Sequence, residues 1–157
     1  MIGTKTAAVA AFWSAERARL GLADADYHVS TFADPRFATY HDELLDLVGK
    51  GKKRATAHLQ LDFEINGVRR RQVGDYWVVV DTASNPRYLV RVTDVDVRPF
   101  NAVEASFAAR EGEGDSSLDY WTRVHREYFE PQCAAWGIAW SPSLLTVCEG
   151  FELIASH

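Results

Sequence analysis

Arg87-Tyr88-Leu89-Val90-Arg91-Val92-Thr93-Asp94-Val95-Asp96-Val97-Arg98 is the stretch whose reading decides the fold class. Tyr88, Val90 and Val92 recur with the period of two that puts side chains on one face of a strand. Val95 and Val97 keep the same period, but out of phase with the first three. The slip falls at Thr93-Asp94 and predicts a β-bulge of the kind that bends sheets and builds barrels. Working outward, Asn85-Pro86 is a turn, and Tyr76 to Asp81 is a valine-rich strand introduced by the turn Val73-Gly74-Asp75. Asn66-Gly67 is a hairpin signal, and Arg54 to Phe63 before it is a predicted strand. On the other side, Asn101 to Arg110 is a predicted short helix and Glu111-Gly112-Glu113-Gly114-Asp115 a loop. Ser116 with Asp119 forms a capping box that opens a helix with Leu118, Trp121, His125 and Tyr128 on one face and Pro131 near its end. Leu144 to Ile154 is the closing strand.

The N-terminal third is helical. Thr6 to Leu20 carries an apolar stripe of Val9, Ala10, Phe12 and Trp13, with Gly21 as its stop. A short strand is predicted at Tyr27 to Phe32. A second helix starts at Pro35 with Asp34 as N-cap, carries Phe37, Tyr40, Leu44, Leu47 and Val48 on its stripe, and ends at Gly49 and Gly51. The expectation is a single α+β domain over residues 1–157, with an N-terminal helix at about 6–20 and a core at about 32–154. Several strands with short turns, broken by helices, suit a small closed or nearly closed β-barrel with helices packed around it.

A chain of 157 residues with 47% hydrophobic and 12% aromatic content fills a core without staples. It shows no apolar run long enough to span a membrane and no signal peptide. Cys133 and Cys148 stand in no metal-ligand spacing and read as buried thiols in a cytoplasmic protein. The net charge of −5 favours a small substrate over a nucleic-acid polymer. Positive charge is local, at Lys50, Lys52, Lys53 and Arg54 and again at Arg69, Arg70 and Arg71. These clusters either border one pocket or lie on two solvated loops.

Two stretches could carry chemistry. In a strand beginning near Arg54, the side chains of Arg54, Thr56 and His58 share one face, and Lys53 stands at its mouth. A threonine hydroxyl needs a base to become a nucleophile. A lysine serves only if its pKa is pulled down, by desolvation or by cations such as Lys52 and Arg54. The alternative is a solvated lysine beside an ordinary strand threonine. The loop Glu111 to Asp115 holds three carboxylates in five residues. It is suited to a divalent ion, to one carboxyl at raised pKa, or to capping the next helix. His125 on an apolar face reads as a hydrogen-bonded core residue, and Glu149 as a half-buried acid paired with a base or rivalling Glu111. The chain carries no zinc, phosphate-loop or serine-elbow motif.

The ordered set Gly51-x-Lys53-x-x-Thr56, Val73-Gly74-Asp75, Pro99-Phe100, Phe107-Ala108-Ala109-Arg110-Glu111-Gly112-Glu113-Gly114-Asp115, Trp121-x-x-x-His125 and Val147-Cys148-Glu149-Gly150-Phe151-Glu152 resembles the ASCH domain family. The resemblance runs from about Phe32 to Ile154. It implies a PUA-like β-barrel with a cleft sized for a nucleotide or nucleoside. It also implies an amidohydrolase that removes the acyl group from N4-acetylcytidine, with Lys53, Thr56 and Glu111 as catalytic residues; beside these, Arg54, His58, Glu113 and His125 are expected against the substrate. Neither a cofactor nor a metal is expected for that chemistry. The partner is then a modified nucleoside, with RNA as a second class. Two other readings stay open: a ribonuclease holding a divalent ion on Glu111, Glu113 and Asp115, and a non-catalytic RNA-binding module.

Overall fold

Thr6 accepts a hydrogen bond from the Val9 amide at 3.2 Å and so starts helix α1, Ala7–Leu20. The computed structural model describes residues 3–22, 26–32 and 38–157. Val9, Phe12 and Trp13 of α1 are buried against Val29, Val78, Val80 and Leu89, whereas Ala10 faces outward. Strand β1 is Tyr27–Ser30 and helix α2 is Ala38–Gly49. The expected start of α2 at Asp34 and Pro35, and Phe37 on its stripe, lie outside the described residues. Leu44, Leu45 and Val48 of α2 are buried as its spacing requires.

Strand β2, Ala55–Leu59, is buried along its whole length. It stops four residues short of the expected Phe63 and gives way to helix α3, Gln60–Ile65. The reason lies in its partner. Leu59 pairs with Thr146, and strand β5, Leu145–Ser156, begins only one residue earlier. With the ladder exhausted, the chain satisfies its backbone groups within itself. Asn66-Gly67 ends that helix and turns no hairpin: the Asn66 side chain donates to the Asp62 carbonyl at 2.7 Å.

Strand β3 is Tyr76–Val80 and β4 is Pro86–Pro99. Beyond a 3-10 turn at Phe100–Ala102 come α4, Ala105–Glu111, and α5, Leu118–Ala135. The N-cap of α5 is Ser117, one residue after the expected Ser116. Ser117 Oγ accepts from the Tyr120 amide at 3.1 Å, while Ser116 takes up a left-handed backbone at φ 62°.

The strands form one five-stranded sheet in the order β1-β3-β4-β5-β2. β4 pairs antiparallel with β5 from Tyr88 opposite Ser156 to Pro99 opposite Leu145, and the register shifts between Val92 and Asp94. That is the bulge read from the valine phase slip. Further shifts between Leu89 and Val90 and between Val79 and Val80 bend the sheet more. Among the described residues β1 and β2 are its edges and do not pair with each other. The mixed α+β class therefore stands as expected, but hydrogen bonding does not close the sheet into a barrel. Leu45, Val48, Trp77, Val79, Val90 and Phe151 fill one side of the sheet. Phe107, Trp121 and Phe129 fill the space under α4 and α5 against Ala55, Ala57 and Leu59. Among the described residues no helix is long and apolar enough to cross a membrane.

Candidate functional site

Lys53 sits where α2 hands over to β2. Its amide and that of Lys52 both donate to the Leu47 carbonyl, at 3.0 and 2.9 Å, and the Arg54 amide donates to Arg110 O at 2.8 Å. The last bond docks the end of α4 onto the start of β2. Gly112, at φ 66°, makes the approach possible, because a Cβ there would stand 2.5 Å from the Lys52 carbonyl oxygen. Glu111 and Glu113 flank this glycine, so both carboxylates are delivered to Lys53. Its Nζ donates to Glu111 Oε2 and to Glu113 Oε1, each at 2.6 Å.

The cluster is buried: Lys53 and Glu111 are each 1% exposed. The indole N–H of Trp121 donates to Glu111 Oε1 at 2.8 Å, and His125 Nε2 lies 3.4 Å from the same oxygen. His125 Nδ1 donates to the Trp121 carbonyl at 3.0 Å, and its ring stacks on that indole at 4.2 Å. The Tyr40 hydroxyl donates to Glu113 Oε2. The Lys53 ammonium also lies 5.2 Å from the centre of the Phe32 ring.

These contacts fix the charges. Burial pulls the Lys53 pKa down, but Glu111 and Glu113 outweigh it and the pKa ends above its ordinary value. Lys53 is thus a resting cation, contrary to the depressed base expected from Lys52 and Arg54. Nor is it a solvated loop lysine. Burial pushes the Glu111 carboxyl up, yet the Lys53 charge and His125 outweigh that and hold it at about 2. Burial likewise lowers His125, and Glu111 more than restores it, leaving it above its usual range. Tyr40 is raised by burial and by Glu113, so its hydroxyl stays a donor.

A cavity of about 270 Å³ opens against this cluster, near the lower end of ligand pockets. Lys53, Thr56, Glu111, Glu113 and His125 line it, with Phe32, Leu44, Val124 and Tyr128 as apolar walls and Glu127 at the exposed rim. Of the residues expected at the site, Arg54 and His58 do not line it. Arg54 donates to the Val48 and Lys53 carbonyls at 2.9 and 2.8 Å and closes the end of α2. His58 accepts from Arg71 Nη2 at 2.9 Å. Burial, then Arg71 among nearby cations, holds its pKa well below the ordinary value.

The two basic clusters do not border the cavity together. Among their members only Lys53 lines it; Arg69 pairs with Asp75 at 2.9 Å and Arg71 with Glu149 at 2.6 Å. Glu149 is fully buried, not half-buried, and its carboxyl is raised by burial against the pull of Arg71. Asp115 is exposed and accepts from the Ser117 amide at 2.9 Å, so it does not join Glu111 and Glu113 around an ion. Sequence reasoning missed Tyr40, counted only as part of an apolar stripe, and Phe32, read only as the end of a short strand; both line the cavity.

A family model described as ASCH domain matches residues 28–155. Among solved structures, an ASCH domain from Lactobacillus crispatus JV V101 is 32% identical with a TM-score of 0.74. It covers 81% of this chain and 80% of its own. A protein from Enterococcus faecalis V583 is 29% identical with a TM-score of 0.84, covering 93% of this chain and 87% of its own. No curated protein matches the chain.

Proposed function

The chain belongs to the ASCH domain family, and on that premise we propose that it is an amidohydrolase that removes the acyl group from N4-acylated cytidine or a cytosine nucleoside analogue. The observation that carries this reading is the Lys53 ammonium, 2.6 Å from both Glu111 and Glu113, in a cavity that Thr56 also lines. Thr56 Oγ attacks the acyl carbon. Its proton passes to Lys53 Nζ while Lys53 passes one to Glu113 Oε1. Lys53 therefore stays an ammonium throughout and meets the developing oxyanion with a full charge, inside a site that excludes most water.

A relay of this kind removes the need for a depressed lysine pKa. Glu111 is the standing anion that keeps Lys53 charged and placed. It is held by three groups, Lys53, Trp121 and His125, against two, Lys53 and Tyr40, on Glu113, so the cytosine edge and the leaving amine fall to Glu113. When the tetrahedral intermediate collapses, the C–N bond breaks and the proton on Glu113 goes to the departing N4. Water then attacks the acyl-threonine, giving its proton to the same relay, and the carboxylic acid leaves as Thr56 recovers its hydroxyl. This logic is that of nucleophile, base and orienting group on another fold.

The test is incubation of EDTA-treated protein with N4-acetylcytidine, following cytidine by chromatography. Cytidine should form at a rate proportional to enzyme. Formation only after Mg²⁺ or Mn²⁺ is restored would refute the scheme.

A further inference from the structure

We propose that the cavity is built for an uncharged ligand and that Glu127, at its rim, makes it discriminate against phosphate. The substrate is then a free nucleoside, not a nucleotide or an RNA chain. This inference rests on the nucleoside reading above and narrows it. It begins with the charges that line the cavity among the described residues: one ammonium, Lys53, against three carboxylates, Glu111, Glu113 and Glu127, with His125 beside them. Even with His125 protonated, the wall keeps an excess of negative charge.

Among the described residues the one ammonium on the wall has a single proton left, the one that meets the acyl oxygen, and its charge is already matched by two carboxylates. Two of its protons are taken by Glu111 and Glu113 at 2.6 Å, and the Phe32 ring stands beside it at 5.2 Å. Lys52 is exposed and does not line the cavity, and three other cations near in sequence are engaged elsewhere. Arg54 is spent on the Val48 and Lys53 carbonyls, Lys50 on Asp46, and Arg71 is buried on Glu149 and His58. At the rim, Arg123 lies 3.3 Å from Glu127 and over the Tyr120 ring at 5.1 Å, and it does not line the cavity. What remains suits a neutral ring: apolar walls at Phe32, Leu44, Val124 and Tyr128 and carboxylate acceptors for amine protons. A dianionic phosphate at the mouth meets like charge. At separations of several ångströms in a largely aqueous dielectric, two such charges weaken binding by roughly tenfold to a hundredfold.

The experiment is calorimetric titration of the wild-type protein, Glu127→Gln and Glu127→Lys with cytidine and with cytidine 5′-monophosphate at low salt. The exposure of Glu127 makes both variants safe for the fold. Cytidine should bind at least about tenfold more tightly than its monophosphate to the wild type. The ratio should fall in Glu127→Gln, fall further in Glu127→Lys, and shrink with added salt. A monophosphate bound as tightly as cytidine, a ratio unmoved in Glu127→Lys, or no binding of either ligand would overturn the proposal. If cytidine binds with the expected charge dependence while N4-acetylcytidine is not cleaved, the amidohydrolase reading fails and this inference stands.

Discussion

Replacing Lys53 with Met keeps the unbranched chain up to the position of Cε and removes the ammonium and its charge. The sequence alone suggests a harmless change in a loop, but the side chain is 1% exposed and bonded to two carboxylates that are themselves buried. Removing one partner of a buried ion pair costs about 3–5 kcal/mol, because the other is left uncompensated. That is a large share of the ~5–15 kcal/mol that holds a domain together. With a urea slope of ~2 kcal/mol per molar, the midpoint should fall by roughly 1.5–2.5 M. The pH dependence should also change sign. In the wild type, Glu111 is held at about 2, so its contribution is present above the unfolded carboxyl value and is lost as pH falls toward 2. In Lys53→Met, burial without the ammonium raises the Glu111 carboxyl. The folded state then binds more protons than the unfolded one, and stability falls as pH rises above ~4.3. Urea titrations from acid to neutral pH measure both effects. A midpoint within ~0.3 M of wild type at neutral pH, or an unchanged pH slope, would refute the buried three-membered charge cluster.

Glu113→Gln should lower kcat/KM on N4-acetylcytidine by about 10²–10⁴-fold, the usual worth of a proton-transfer group, with no rescue by Mn²⁺; a loss under tenfold would take the relay away from Glu113. Gly112→Ala should be costly, since the backbone is left-handed there and the added Cβ would stand 2.5 Å from Lys52 O. An unfolding free energy from urea titration lowered by more than the ~1–2 kcal/mol of backbone strain alone, together with reduced activity, is the expected result. His125 is raised above its ordinary pKa through Glu111. Its stabilisation is therefore complete below ~6.5 and is lost as pH rises through the folded value. His125→Gln should flatten that alkaline decline in urea titrations.

The sheet was largely legible because its information is local. The valine phase slip at Thr93-Asp94 marked the bulge found between Val92 and Asp94, and Thr6 and Gly21 bracketed α1 as found. The strand that failed, Arg54 to Phe63, failed for a non-local reason: β5 begins at Leu145, and nothing within residues 54–63 records where a partner so distant in sequence runs out. Asn66-Gly67 misled for the same cause, since a left-handed residue ends helices as readily as it turns hairpins. At the site, the family resemblance, more than residue types or spacing, brought Lys53, Thr56 and Glu111 forward together, and all three line one cavity. The charge state of Lys53 was not readable. Its sequence neighbours Lys52 and Arg54 are cations, but its spatial neighbours are the anions Glu111 and Glu113, which only the docking of α4 on β2 brings close.

The central claim is that Thr56 attacks the acyl carbon beside a permanently charged Lys53. It is tested most directly by kcat/KM on N4-acetylcytidine for wild type, Thr56→Ser and Thr56→Val, each with its urea midpoint measured alongside. With folding intact, Thr56→Ser should keep measurable turnover and Thr56→Val should lose at least about a thousandfold, or ~4 kcal/mol of transition-state stabilisation. A folded Thr56→Val protein that turns over within tenfold of wild type would contradict the account.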